Sequence, residues 1–195
     1  FVYASSASVY GLGTQGFSED APLAPLNYYA ISKASFDMYA HQKIKDNPEA
    51  KIYGLRYFNV YGKREDHKGD MASPVHKFLK QAFNVGEIKI FEGSEEFLRD
   101  FIHVHDVVAM TLAAPKLDAP GIYNVGTGIS RSFEDVAKII ANLTGASIKQ
   151  IPFPPHLMGK YQAFTESNNN KIERAGYAAS RLTLESGIAE VFCGT

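Results

Sequence analysis

The chain has 195 residues, of which 45% are hydrophobic and 12% aromatic, enough for the core of one domain or of one domain with a small lobe. Its 20 basic and 21 acidic residues are scattered and give a net charge of −1, which excludes a basic nucleic-acid groove and a surface for anionic membranes. A single cysteine rules out an internal disulfide, and the sequence contains neither a long apolar run nor a signal peptide. We therefore expect a cytoplasmic protein with no nucleic-acid or membrane partner.

The first residues are unusual for a natural N-terminus. Phe1, Val2, Tyr3 and Ala4 form a short apolar run that is typical of a buried strand, and no initiator methionine precedes them. We therefore expect the chain to be the C-terminal part of a longer protein.

Strand and helix signals alternate along the chain, which predicts an α/β fold with a mainly parallel sheet. Strands are expected at residues 1–4, 52–58, 88–91, 101–104, 122–125 and 148–153. Helices are expected from 28 to about 45, from 71 to 85, from 107 onward, from 133 to 144 and near 184–192. Gly86 and Gly145 are expected to end two of these helices, Asp106 is expected to cap a third, and Ser132 to Asp135 have the form of a capping box. The helices at 71–85 and 133–144 are each expected to bury one face, which carries Val75, Phe78, Leu79 and Ala82 in the first and Val136, Ile139, Ile140 and Leu143 in the second. Residues 168–170 read as a polar turn.

A glycine-rich segment near the N-terminus matches the letters of a dinucleotide-binding loop. Residues 11–16 read G-x-G-x-x-G, but a phosphate loop must lie between a strand and a helix whose N-terminus meets the pyrophosphate. The following residues, 17–22, end in a proline and open no helix. We predict an ordinary loop here.

A second pattern carries chemistry. Tyr29 and Lys33 form Y-x-x-x-K at the start of a predicted helix, and four residues place both side chains on one side of it. A lysine ammonium stabilises a neighbouring phenolate, which lets a tyrosine exchange protons near neutral pH. The pair alone is also compatible with an ordinary amphipathic helix.

The surrounding motifs make the pattern specific. In chain order the sequence contains S-S-A-S-V-Y-G at 5–11, the Y-x-x-x-K pair, R-Y-F-N-V-Y-G at 56–62, R-D-F-I-H-V-H-D-V-V at 99–108 and Y-N-V-G-T-G at 123–128. This series resembles the extended short-chain dehydrogenases/reductases, the NAD(P)-dependent epimerase/dehydratase family, from residue 1 to at least 177. The resemblance implies the C-terminal part of a Rossmann-like doubly wound parallel sheet plus a small α/β substrate-binding lobe. It also implies Ser6, Tyr29 and Lys33 as the catalytic triad, with the cofactor-binding half absent.

Three further segments are similar to the branch of this family that epimerises C6 of ADP-linked heptose. They are R-E-D-H-K-G-D-M-A-S at 64–73, F-E-G-S at 91–94 and K-Y-Q-A-F-T at 160–165. The resemblance implies residues 1–62 and roughly 100–125 in the Rossmann-like part, and roughly 63–99 and 126–195 in the substrate lobe. It further implies an ADP-sugar substrate made for lipopolysaccharide core synthesis, a homo-oligomer, and NADP as cofactor, with NAD not excluded because the selecting residues are absent.

The site residues that this resemblance implies fall into three groups. Lys68 becomes a second acid/base residue, and Lys33, Val60 and Lys68 become cofactor contacts. The substrate contacts become Asn59, Asp70, Phe91, Glu92, Gly93, Ser94, Arg99 and Tyr161. The chain departs from the branch at Lys63, where proline is usual, and at Asp70, where a serine can contact substrate. A substrate histidine of the branch falls on His76 or Lys77, and the choice stays open.

Each assignment has a plain alternative. Arg99 with Asp100 could be a surface ion pair of little energetic value, and Lys68 could be a solvated loop charge. His103 and His105 alternate on a predicted strand, but no third ligand is evident, so we predict structural roles and no metal. Two other functions remain: another nucleotide-sugar 4-epimerase or dehydratase, or a non-catalytic fragment.

Overall fold

A computed structural model describes residues 1–13, 16–155, 162–178 and 181–194. The strands are β1 Val2–Ser6, β2 Tyr53–Tyr57, β3 Asn59–Tyr61, β4 Glu87–Phe91, β5 Leu98–His103, β6 Gly121–Val125, β7 Ser130–Ser132 and β8 Ser147–Ile151. The α-helices are α1 Tyr28–Asp46, α2 Pro74–Val85, α3 Val104–Ala113, α4 Phe133–Thr144, α5 Asn170–Arg174 and α6 Leu184–Phe192. Within these ranges, short 3₁₀ helices cover Ala7–Tyr10, Asp66–Met71 and Ala114–Lys116.

The predicted α/β architecture with parallel strands is confirmed. One sheet has the order β1-β2-β6 with both pairings parallel, so α1 forms the crossover between β1 and β2. A second sheet has the order β3-β5-β7, in which β3 and β5 are parallel and β7 is antiparallel to β5. A third pairs β4 with β8 in parallel.

Two helices close a hydrophobic core over β4 and the β3-β5 sheet. The predicted inward residues Val75, Phe78, Leu79 and Ala82 of α2 are all buried against Val136 and Ile140 of α4. Gly86 and Gly145 end these helices in the left-handed conformation, and Ser132 with Asp135 forms the predicted capping box. Leu143, however, was predicted on the buried face and is 39% exposed.

Several predicted boundaries were wrong, for local reasons. Helix α3 begins at Val104 because the His103 side chain accepts the backbone N–H of His105 and caps it, whereas Asp106 lies in the first turn. Helix α2 begins at Pro74, after the N-cap Ser73, since residues 66–71 form a 3₁₀ turn. The strand expected at 52–58 ends at 57 and restarts as β3 in a different sheet. Strand β7 and helix α5 were not predicted, because each is too short for a periodic pattern to reveal it. Helix α5 begins at Asn170, in the segment that was predicted as a polar turn.

A buried polar network attaches the N-terminal loop to the first sheet. Arg56 donates to Asp37 at 2.8 Å and to the hydroxyl of Tyr10 at 2.9 Å, and that hydroxyl donates to Asn124 at 2.6 Å. Burial raises the pKa of Tyr10 to about 12 despite the Arg56 charge, so the phenol stays neutral. Among the described residues, the first α-helix after Gly11, Gly13 and Gly16 starts only at Tyr28, so no helix N-terminus follows these glycines directly. In the described ranges, no helix is long and apolar enough to cross a membrane.

Candidate active site

The tyrosine and lysine of the Y-x-x-x-K pair lie on the first turns of α1. Asn27 caps this helix by accepting the backbone N–H of Ala30 at 2.8 Å. Tyr29 is 56% exposed, and the Lys33 Nζ lies 5.7 Å from the centre of its ring. Lys33 also donates to the carbonyl of Ala4 in β1 at 2.8 Å, so the pair is attached to that strand two residues before its carboxyl end.

The candidate serine stands at the same end of the strand. Ser6 is the last residue of β1, two residues beyond the carbonyl that Lys33 contacts. Its Oγ accepts hydrogen bonds from the backbone N–H and the hydroxyl of Ser8, at 3.2 and 3.0 Å. Since Oγ acts as acceptor in both bonds, its own proton is available to a bound oxygen. Ser6 and the carbonyl that Lys33 contacts thus lie two residues apart on β1, and ligands bind beyond the carboxyl ends of strands in α/β proteins.

A second group of predicted residues meets at a separate cavity of about 280 Å³. Asn59, Val60 and Lys68 all line it, together with Phe58, Glu65, Met71, Ala72, Ser73, Pro74 and Phe101. Asn59 is further fixed by the hydroxyl of Thr165, which donates to its Oδ1 at 3.3 Å. Asn59 and Lys68 are nine positions apart in the sequence, yet both line this cavity together with Val60.

Glu65 was missed by the sequence reasoning, although it lies at the centre of this region. Its side chain is 4% exposed and lies 3.3 Å from the Lys68 ammonium. Burial raises the pKa of Glu65, but hydrogen bonds from Ser73 and the charge of Lys68 outweigh burial and leave the pKa below its usual range. The only signal in the sequence was an acidic residue three positions before a candidate lysine, a spacing that is common on protein surfaces.

The predicted substrate turn lies elsewhere. Phe91 ends β4, and Ser94 closes the turn by donating its backbone N–H to the Phe91 carbonyl at 3.1 Å, with Gly93 at a φ of 78°. Glu92 is exposed and donates its N–H to Ile151 of the neighbouring strand at 2.9 Å. The Ser94 side chain is 2% exposed and its hydroxyl has no hydrogen-bond partner among the described residues. None of these four residues lines the cavity at Asn59.

Arg99 and Asp100 are both buried, so the alternative of a surface ion pair is wrong. The Arg99 guanidinium donates to the carbonyls of Leu98, at 2.9 Å, and of Gln162. The Asp100 carboxylate instead accepts from Thr127, Gly128 and Ser167 at 2.6–2.9 Å. Tyr161 lies outside the described residues.

Three other candidates face away from the Asn59 cavity. Asp70, His76 and Lys77 line a neighbouring depression on the outer side of the 66–71 turn. Lys77 donates to the backbone carbonyl of Asp70 at 2.6 Å, and His76 lies 3.5 Å from the carboxylate of Asp66. The expected substrate contact by Asp70 therefore does not share the cavity of Asn59 and Lys68.

The two histidines have a third partner that the sequence did not reveal. Glu190 of α6 approaches the Nε2 of His103 to 2.8 Å and the Nδ1 of His105 to 3.6 Å, so the inference that no third group joins them was wrong. The Nδ1 of His103 accepts a backbone N–H, which leaves the ring proton on Nε2, facing Glu190. Lys63 also contacts Glu190 at 2.9 Å. This arrangement caps α3 and attaches α6, which is a structural role for His103.

Comparison with known proteins bears on what this geometry does. The model of the NAD dependent epimerase/dehydratase family matches residues 1–126. An ADP-L-glycero-D-manno-heptose-6-epimerase of Brachyspira hyodysenteriae is 46% identical over 190 residues, which are 95% of this chain and 60% of that protein. The crystal structure of the enzyme of the same name from Helicobacter pylori superposes with a TM-score of 0.86 at 32% identity, covering 99% of this chain and 58% of that one.

A more distant structure shares the fold with a different substrate. The UDP-glucuronic acid 4-epimerase of Bacillus cereus, in complex with UDP-glucuronic acid and NAD, has a TM-score of 0.81 at 25% identity, covering 99% of this chain and 60% of that one. The chain spans about 60% of the length of the relatives that it matches. By the extent of the family match, this chain belongs to the NAD dependent epimerase/dehydratase family.

Proposed function

We propose that this chain forms the catalytic and substrate-binding part of an enzyme that inverts C6 of the heptose in an ADP-activated sugar. The reaction would convert ADP-D-glycero-D-manno-heptose to ADP-L-glycero-D-manno-heptose, a precursor of the lipopolysaccharide core. The observation that carries the proposal is the cavity shared by Asn59, Val60 and Lys68, since a lysine there provides a second proton-transfer group apart from Tyr29. The 46% identical relative of that name supports the same choice.

The residues at the end of β1 fit a nicotinamide cofactor. In the described part of the chain the hydroxyl of Tyr29 has no hydrogen-bond partner, and Lys33 uses one of its three N–H donors on Ala4. An exposed phenol beside an ammonium is a donor set suited to a ribose and a reacting hydroxyl. We propose NADP as the cofactor, held by Lys33, Val60 and Lys68. When bound, it supplies reversible hydride acceptance at C6, so that no external redox partner is needed.

The first proton transfer is assigned to the triad. Tyr29 acts as a phenolate that the nearby Lys33 ammonium stabilises, and it becomes a neutral phenol when it accepts the proton of the C6 hydroxyl as the carbon is oxidised. Ser6, with its own hydroxyl proton available, donates to the substrate oxygen and holds it beside Tyr29. In this proposal the three groups act together on the C6 oxygen, so they serve one orientation of the sugar.

The second proton transfer is assigned to Lys68. After oxidation the carbonyl at C6 must present its opposite face before the hydride returns, and its oxygen then points away from Tyr29. Lys68 belongs to a separate segment, the loop between β3 and α2, and lines a cavity together with Asn59. An ammonium there can donate the proton that completes the inverted alcohol.

The remaining contacts are proposed for the rest of the substrate. Asn59 would bind the sugar, Arg99 the diphosphate, and Tyr161 with Asp70 and residues 91–94 the outer parts of the ADP-sugar. A buried guanidinium is well suited to a diphosphate because its planar donors match phosphate oxygens. We further propose a cytoplasmic homo-oligomer, with residues 1–62 and roughly 100–125 in the Rossmann-like part and roughly 63–99 and 126–195 in the substrate lobe.

A full-length protein containing this chain tests the proposal. Incubation with ADP-D-glycero-D-manno-heptose, without added reductant or oxidant, should yield the L-glycero epimer by NMR. UDP-glucose and UDP-glucuronic acid serve as parallel substrates, and we expect no 4-epimer from either. Conversion of a UDP-sugar without conversion of the ADP-heptose would instead identify another nucleotide-sugar epimerase. Failure to convert any of them, with cofactor bound, would favour a non-catalytic role.

A further inference from the structure

The loop between β3 and α2 is organised around one buried carboxylate. Oε1 of Glu65 accepts from the backbone N–H of Gly62 at 3.3 Å and from the hydroxyl of Ser73 at 2.7 Å. Oε2 accepts from the backbone N–H of Ser73 at 2.8 Å and from the Lys68 ammonium at 3.3 Å. These donors lie at both ends of the loop and in its middle. One side chain therefore fixes both the path of the loop and the position of its lysine.

The loop needs such a constraint because its backbone is strained. Arg64, directly before Glu65, has a φ of 66°, a left-handed conformation that is uncommon for a residue with a Cβ. Gly69, directly after Lys68, has a φ of 50° and a ψ of −123°, which a glycine adopts without strain, so the strain of the loop lies at Arg64. Strained residues persist only where surrounding contacts over-determine them, and they concentrate at functional sites.

The Lys68 ammonium has few contacts other than the Glu65 carboxylate. The Lys68 side chain is 42% exposed, and Glu65 is its only hydrogen-bond partner among the described residues. A lysine side chain of that exposure ordinarily samples many rotamers. The carboxylate, which stays charged at neutral pH, restricts the ammonium to the side of the loop that faces Asn59 and Val60.

We propose that Glu65 is a positioning residue: its carboxylate holds the Lys68 ammonium at the Asn59 cavity without touching substrate. This inference rests on the proposed function, because it gives Glu65 a role through the second proton-transfer group. The competing view is that Glu65 only stabilises the loop through Gly62 and Ser73. The two views differ in whether the effect of Glu65 on turnover depends on Lys68.

A double-mutant cycle in a full-length protein containing this chain separates them. Glu65→Gln keeps the shape of the side chain but removes its charge, and Lys68→Met removes the ammonium. We expect Glu65→Gln to lower kcat at least tenfold with KM changed less than about threefold, because positioning acts on the chemical step. In the Lys68→Met background, the same change should lower kcat by no more than about twofold.

A neighbouring carboxylate provides the matched control. Asp66 lies in the same loop, but its side chain is 83% exposed and contacts His76 rather than Lys68. Asp66→Asn removes an equal charge, and we expect turnover within about twofold of wild type.

The outcomes are distinct. Normal turnover of Glu65→Gln beside an impaired Lys68→Met, or fully additive losses in the double variant, would overturn the positioning role. Normal turnover of Lys68→Met would instead overturn the proposed second proton transfer, whatever Glu65 does. Should Glu65→Gln fail to fold, Glu65→Asp retains the charge with a shorter reach. That variant should show a smaller kcat loss that again disappears in the Lys68→Met background, and an additive loss would overturn the proposal.

Discussion

The two lysines of the candidate site are held in contrasting ways. Lys33 lies on a regular helix, one turn from Tyr29, and its ammonium donates to a strand carbonyl at 2.8 Å. Lys68 lies on an irregular loop, and its ammonium is held by the buried carboxylate of Glu65. In the first case secondary structure positions the group, whereas in the second a single side chain does so. The first arrangement should tolerate changes in its surroundings that the second does not.

The largest effect should come from the helix site. Tyr29→Phe keeps the ring and its contact with Lys33 but removes the oxygen that carries the proton. Loss of a general acid–base group costs roughly 10²–10⁴-fold, so kcat for epimerisation should fall by at least about a hundredfold. Thermal unfolding should be unchanged, because Tyr29 is 56% exposed and its hydroxyl has no hydrogen-bond partner within the described residues. A turnover close to wild type would remove Tyr29 from the mechanism.

This contrast also explains what the sequence could predict. The spacing of Tyr29 and Lys33 is a property of any helix, so the pairing of their side chains follows from the sequence and is confirmed. The cavity at Asn59 depends on a 3₁₀ turn and on a strand break at Phe58, neither of which leaves a periodic signal. Glu65 was therefore missed, and the substrate contact expected of Asp70, which lines a neighbouring depression, stays a prediction.

The same reasoning applies to the clusters that depend on distant segments. His103 and His105 are visible as a pair, but Glu190 reaches them from a helix more than eighty residues later. Likewise Asp100 was paired with its neighbour Arg99 on sequence grounds, although Ser167 and Thr127 provide its hydrogen bonds. Contacts that follow from local periodicity were predicted, whereas contacts that form only through tertiary packing were not.

Alanine substitutions at two glycines test how strongly the position of Lys68 depends on the conformation of its loop. Gly69→Ala adds a methyl group with no heavy atom within 4 Å, so its cost is purely conformational, and Gly86 offers the same open space. Gly69 has a φ of 50° and a ψ of −123°, outside the ordinary left-handed region, and alanine there should cost roughly 1–3 kcal/mol. Gly86→Ala, at the end of α2, should cost about 1–2 kcal/mol.

Turnover distinguishes these two glycines. Because Gly69 follows Lys68, the loop should yield to the added strain and displace the ammonium, so kcat should fall in Gly69→Ala. Gly86→Ala should lose similar stability in urea unfolding yet keep its kcat. Equal turnover of both variants would show that the position of Lys68 does not depend on the loop conformation.

The smallest effect is a difference in acid stability. The pKa of Glu65 is lower in the folded protein than its usual value of 4.5, so Glu65 stabilises the fold above that pH and loses this contribution as the pH falls through the folded value. The difference in unfolding free energy between wild type and Glu65→Gln should therefore shrink from about pH 7 to about pH 3. Other carboxylates with lowered pKa, such as Asp135, are common to both proteins and cancel. A pH-independent difference would show that the Glu65 charge adds nothing to the loop.

The central claim is that two separate groups, Tyr29 and Lys68, each serve one orientation of the C6 oxygen. It is tested most directly by starting a full-length protein from each C6 epimer of the ADP-heptose in turn, and quenching the first turnover with borodeuteride. Deuterium at C6 then measures the ketone formed from each epimer. We expect Tyr29→Phe and Lys68→Met to show opposite preferences, each slowed at least about a hundredfold with one epimer and within about threefold of wild type with the other. The same preference in both variants, or wild-type ketone formation from both epimers in Lys68→Met, would contradict the account.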